Sequence, residues 1–74
     1  MEQSLKKIWI RDLIGKRIYQ YETENELSDD KDFSIDLIGD LGKIKDRKNL
    51  LCKAPGQFDW TPCLIVNERN LVKM

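Results

Sequence analysis

The sequence predicts a small all-β domain, an open barrel of five to six short strands, and three observations support that prediction. The chain contains one alanine, Ala54, against eight isoleucines, and this shortage of helix formers beside many β-branched residues favours sheet over a helix bundle. One long stretch alternates between apolar and polar residues with the period of a strand. Turn signals divide the other apolar runs into short segments. Because the chain has 74 residues, we expect one domain, residues 1–74, with one core.

The alternating stretch runs from Asp32 to Ile44 and organises the predicted sheet. Its odd positions carry the apolar residues Phe33, Ile35, Leu37 and Leu41. Gly39 and Gly42 are positions where a strand can bulge or bend sharply. We therefore predict one long, curved, central strand whose odd-numbered side chains face the core.

The segment from Leu5 to Ile14 is compatible with a helix or a strand. A helix would place Leu5, Ile8, Trp9 and Leu13 on one face, between a capping Ser4 and a terminating Gly15. A strand would use the β-branched and aromatic run of residues 7–10. The β character of the rest of the chain favours the strand, so the alternatives are all-β, or mostly β with one short N-terminal helix.

A second strand is predicted from Gly15 to Glu22, with Tyr19 and Tyr21 on one face. Residues 22–32 then have almost no apolar content, and we predict an acidic loop there. Its acidic residues are Glu22, Glu24, Glu26, Asp29, Asp30 and Asp32. Such a loop is either a solvated segment or a surface that docks on a basic partner.

Three short strands are predicted in the second half of the chain, at residues 49–54, 63–66 and 71–74. The first ends in a turn with Pro55 second and Gly56 third, as a type II turn requires, and residues 58–60 leave that turn. Pro62 then marks an edge position or a break before residues 63–66. Residues 67–70 form the next turn.

The two cysteines are predicted to be free, buried thiols. Counting outward from the Pro55–Gly56 turn pairs Cys52 with Asp59 and places Cys63 opposite Lys48. This register leaves the two cysteines too far apart to form a disulfide.

The composition argues against catalysis. The chain has no histidine, which removes the commonest general base and the commonest metal ligand, and two cysteines fall short of a structural zinc set. We therefore expect no enzymatic activity, no metal and no cofactor. No apolar run is long enough to cross a bilayer, and the first residues lack the features of a secretory signal, so we expect a cytoplasmic protein with no membrane contact.

Two Gly-Lys turns resemble those of PRC-barrel domains, small β-barrels that serve as interaction modules. The residues that carry the resemblance are Leu13, Gly15 and Lys16 in the first turn and Gly42, Lys43, Ile44 and Asp46 in the second. The acidic loop widens the interval between the two turns relative to that family. The resemblance implies a small barrel and assigns no site residue.

The leading functional hypothesis is a non-catalytic protein-binding module, an accessory or inhibitor of a larger partner, with an SH3-like or PRC-like barrel. Three aromatic residues and the acidic loop are its predicted partner-binding residues: Tyr19, Tyr21, Trp60, Glu24, Glu26, Asp29 and Asp30.

Two other hypotheses stay open. Thirteen basic and thirteen acidic residues cancel, but a basic stretch follows Leu41 and could bind nucleic acid beside an exposed aromatic residue. Its residues are Lys43, Lys45, Arg47 and Lys48. The small core would also suit a subunit that orders only within a larger assembly.

Overall fold

The computed structural model describes residues 5–28, 30 and 33–74, which form six β-strands and, over that range, no helix. The strands are β1 (Lys6–Asp12), β2 (Arg17–Thr23), β3 (Ser34–Asp36), β4 (Leu50–Lys53), β5 (Thr61–Ile65) and β6 (Asn70–Lys73). The all-β prediction is therefore confirmed, and the ambiguous N-terminal segment is a strand.

The six strands form one antiparallel sheet in the order β2-β1-β4-β5-β6-β3. The sheet curls so that its two edges approach each other at an isolated bridge between Glu22 and Ile38. There the Ile38 amide donates to the Glu22 carbonyl at 2.7 Å, and the buried Thr23 hydroxyl donates to the Asp36 carbonyl at 2.8 Å. The result is a curled half-barrel in which part of each edge is paired, consistent with the predicted small barrel.

The core lies inside this curl. It is built from buried side chains of five strands, β1 and β3 to β6, and of the segment after β3: Ile8, Ile10, Ile35, Leu37, Leu41, Ile44, Leu50, Cys52, Cys63, Ile65 and Leu71. The alternation that marked Ile35, Leu37 and Leu41 as inward-facing is confirmed, since each is at most 1% exposed.

The predicted long central strand is wrong in its length and position. β3 has three residues and is an edge strand that pairs only with β6 within the described sheet. The backbone leaves the extended conformation at Gly39, whose φ is +138°, and residues 42–46 then form turns. The Ile44 amide donates to the Leu41 carbonyl at 3.0 Å, which keeps both side chains buried without a ladder. Asp32, the predicted first residue of the strand, lies outside the described residues.

The predicted register of β4 and β5 is also wrong, by two residues. The turn forms as expected, with Gly56 at a φ of +88° and the Gln57 amide donating to the Ala54 carbonyl at 3.2 Å. However, the Gln57 side-chain oxygen accepts a hydrogen bond from the Ala54 amide at 2.9 Å. The Ala54 amide therefore donates to a side chain and not to the backbone of the neighbouring strand, and residues 57–60 extend the loop.

The observed register pairs Cys52 with Thr61 and Cys63 with Leu50. The two cysteines are therefore diagonal neighbours on the buried face of adjacent strands, not distant residues. Both are free thiols, as predicted.

Candidate binding site

The turn between β1 and β2 is held by the buried carboxylate of Asp12. Its Oδ1 accepts hydrogen bonds from the amides of Ile14 and Gly15, each at 3.0 Å. The second oxygen, Oδ2, lies 3.7 Å from the Nε of Arg47. This interaction places the turn beside the charged segment that precedes β4. The turn and this segment lie between two open grooves, which are described next.

The first groove, which we call the apolar groove, has a volume of about 390 Å³. Leu13, Pro62, Leu64 and Met74 form its apolar walls, and Arg47 and Lys48 form a basic rim. Leu13, Leu64 and Met74 are 43%, 53% and 61% exposed, so their side chains are accessible to a ligand.

Two backbone hydrogen bonds place the walls of the apolar groove. The Met74 amide donates to the Pro62 carbonyl at 2.9 Å, which holds the last residue against β5. The Leu13 amide donates to the Asn49 carbonyl at 3.4 Å, and Asn49 has a φ of +60°. Asparagine tolerates this left-handed conformation better than most residues, and the bend directs the chain from the rim into β4.

The second groove, which we call the cationic groove, lies on the other side of Leu13 and has a volume of about 430 Å³. Its basic residues are Arg11, Lys16 and Arg17, and Ile18 contributes an exposed apolar side chain. Within the described part of the chain, the one acidic residue in its lining is Asp12, whose carboxylate is buried and paired as described above.

The structure does not bring the three predicted aromatic residues together. Tyr19 and Tyr21 lie opposite Ile10 and Ile8, on the inner face of the sheet, and pack against the core with their ring centroids 6.5 Å apart. Burial, with smaller contributions from Tyr19 and Asp40, raises the pKa of the Tyr21 phenol. Trp60 instead lies near side chains of the outer face. A single aromatic groove formed by all three residues is therefore not present.

Of the predicted acidic partner-binding residues, Glu24, Glu26 and Asp30 are exposed, and Asp29 lies outside the described residues. The loop begins later than predicted, because β2 continues to Thr23. Glu26 accepts a hydrogen bond from the Lys6 ammonium at 3.2 Å.

The four residues predicted to bind nucleic acid do not lie together in the structure. Arg47 and Lys48 form the rim of the apolar groove. Lys43 and Lys45 are exposed and line neither groove.

The two buried thiols interact with each other. Their shared hydrogen bond, together with burial, raises the pKa of Cys63, whereas the same hydrogen bond lowers the pKa of Cys52. Among the residues that the structure describes, no three His, Cys, Asp or Glu side chains are close enough to share a metal ion. The described part of the chain also contains no helix that is long and apolar enough to cross a membrane.

Comparison of the chain with protein-family models, with curated proteins and with solved structures found no match in any of the three. The features of the protein that point to a function are therefore its two grooves and the outer face of its sheet.

Proposed function

We propose that the protein is a non-catalytic binding module of the cytoplasm, an SH3-like or PRC-like barrel, that acts as an accessory or inhibitor of a larger protein. The apolar groove is its docking site. The observation that carries this proposal is the group of exposed apolar side chains around one open groove, beside a basic rim.

The walls of the groove define the apolar part of the partner. Leu13, Leu64 and Met74 come from three separate parts of the chain, and each leaves a large fraction of its surface in contact with water. Burying one leucine side chain contributes about 1.5–3 kcal/mol, so a partner that covers this group gains affinity from the hydrophobic effect alone. A single large apolar side chain inserted into the groove would contact all three.

The rim defines the polar part of the partner. Arg47 and Lys48 lie beside the groove, and among the described residues no acidic side chain lines it. An acidic residue next to the inserted apolar side chain would be attracted to these two cations, which also steers the encounter. The predicted partner segment therefore combines a large apolar residue with a neighbouring aspartate or glutamate.

Site-specific photo-crosslinking in the native cell tests this proposal. A photoreactive residue placed at Leu64 should crosslink one partner protein in stoichiometric amount. The matched control is Val66, which follows β5, is 57% exposed and does not line the groove. Position 66 should give little of that product.

The captured protein is then tested with substitutions. Leu64→Asp should weaken its binding by at least about tenfold, because the variant removes an apolar contact worth about 1.5–3 kcal/mol. Val66→Asp introduces the same charge and should bind like the parent. Equal crosslinking at both positions, or equal binding by both variants, would exclude the apolar groove as the docking site.

A further inference from the structure

Two cations lie close to the half-buried ring of Trp60, near the outer face of the sheet. The guanidinium carbon of Arg11 is 6.0 Å from the centroid of the Trp60 ring, and the ammonium nitrogen of Lys53 is 5.7 Å from it. In the β1–β4 ladder, Arg11 pairs with Leu51 and Lys53 pairs with Trp9. The two cations are therefore diagonal neighbours on adjacent strands, and Trp60, from the loop before β5, reaches both.

The positive charge continues from this cluster into the cationic groove. Arg11 belongs to both, because it also lines the groove with Lys16 and Arg17. The acid in that groove, Asp12, is 1% exposed, and its carboxylate is bound to the turn amides and faces Arg47. The charges that this groove presents to solvent are therefore positive.

On the same face, toward β2, the positive charge is interrupted by an acidic residue. Lys7 is the next outward residue of β1 after Trp9, and its strand partner is Glu22. The indole N–H of Trp9 donates to the side-chain oxygen of Gln20 at 3.3 Å, which fixes that ring against β2. The basic tract thus includes Lys53, Arg11, Lys16 and Arg17, with Trp60 near one end.

A tract of cations with an aromatic ring fits one class of ligand best. Single-stranded nucleic acid carries regularly spaced phosphates and also unpaired bases that stack on aromatic side chains. In a duplex the bases are paired inside the helix and cannot stack on Trp60. An acidic protein offers carboxylates to the cations but no comparable run of planar rings.

We propose that this outer face and the adjoining cationic groove bind single-stranded nucleic acid, RNA or DNA, with Trp60 stacking on a base and Arg11, Lys53, Lys16 and Arg17 contacting phosphates. The surface adjoins the apolar groove at Leu13 and Leu51 but uses other residues for binding, so the inference goes beyond the docking function. It also differs from the sequence-based alternative, because only the fold joins Arg11 and Lys53 to Trp60.

The first test is the fluorescence anisotropy of labelled oligouridine and oligothymidine of about 12 nucleotides with the full chain. Measured between about 50 and 200 mM salt, the logarithm of the affinity should fall with a slope of about −3, the value expected for four phosphate contacts on a single strand. The Arg11→Ala/Lys53→Ala variant should bind at least about tenfold more weakly, and its slope should be smaller by about 1.4. Comparison of the two oligonucleotides distinguishes RNA from DNA.

The matched control is Lys43→Ala/Lys45→Ala, which removes the same charge from exposed positions outside both grooves. This control variant should bind the oligonucleotide within about twofold of the parent, because direct contacts contribute more to the affinity than long-range charge, which salt screens. An equal loss in both double variants would overturn the proposed surface. Leu64→Asp, which disrupts the apolar groove, should leave oligonucleotide binding unchanged, so failure of the docking proposal would be recognised separately.

The second test concerns the ring itself. In Trp9→Phe, Trp60 is the one remaining tryptophan, and a stacked base should quench its fluorescence. Trp60→Leu, checked by thermal melting, should weaken binding by at least about fivefold. Unquenched fluorescence in the bound state would overturn the stacking role. Equal competition by oligoglutamate would assign the face to an acidic protein instead.

Discussion

The Nε of Arg47 lies 3.7 Å from Oδ2 of Asp12, a buried carboxylate oxygen with no hydrogen-bond partner among the described residues. The other carboxylate oxygen holds the β1–β2 turn through two amides. One side chain therefore fixes a turn and positions a cation at the rim of the apolar groove, so stability and the proposed docking site depend on the same pair.

Asp12→Ala should destabilise the fold by about 2–3 kcal/mol, because it removes the charged acceptor of two amides. Arg47→Ala should cost about 1–2 kcal/mol; the arginine is partly exposed, so the loss is smaller than for a fully buried pair. Urea denaturation of both variants and of the double variant measures the coupling. Lys48→Ala, at an exposed neighbouring position, should change stability by less than about 0.5 kcal/mol. An Asp12→Ala variant as stable as the parent would contradict this role.

Leu37→Ala should cost about 2–5 kcal/mol, because Leu37 is fully buried and its truncation leaves a cavity. The adjacent Ile38 is 46% exposed and belongs to the same segment. Ile38→Ala should cost less than about 1 kcal/mol, since its side chain is partly in water and its backbone bridge to Glu22 is kept. Thermal melting of the two variants checks the assignment, and a reversed order would show that the segment packs with its other side inward.

Gly39→Ala should be more destabilising than Gly56→Ala, although both glycines have a positive φ. At Gly39 an added Cβ would lie 2.8 Å from a ring carbon of Tyr21, whereas at Gly56 it would meet no atom of the described residues within 4 Å. Backbone strain alone should cost about 1–2 kcal/mol at Gly56, and the collision should add about 1–3 kcal/mol at Gly39. Equal losses in chemical denaturation would mean that Tyr21 moves away freely.

The raised pKa of Tyr21 predicts a loss of stability at alkaline pH. The unfolded phenol ionises at its ordinary pKa of 10.0, while the folded phenol stays protonated to higher pH. Its contribution is therefore complete below pH 10.0 and is lost as the pH rises toward the folded value. Tyr21→Phe should lose less stability than the parent between about pH 9 and pH 11, as measured by urea unfolding at each pH. Identical pH profiles would exclude Tyr21 as the cause.

The sequence alone determined the fold class, the strand at residues 17–22, the turn at Pro55–Gly56 and the inward side of Ile35, Leu37 and Leu41. These features depend on local periodicity and turn chemistry, which a single stretch of chain contains. The alternation did not reveal that the Leu37 segment lies at an edge, because a buried side chain has the same pattern whether or not its backbone is paired.

Tertiary structure decided the strand register and the composition of both candidate surfaces. The β4–β5 register depends on the Gln57 side chain replacing a ladder bond, and the contact of Trp60 with Arg11 depends on that register together with the β1–β4 pairing. Arg47 reaches Asp12 across 34 intervening residues because β4, the strand that follows Arg47, pairs with β1, the strand that ends at Asp12. Such relationships combine distant parts of the chain, so no local pattern contains them, and both proposed sites depend on them.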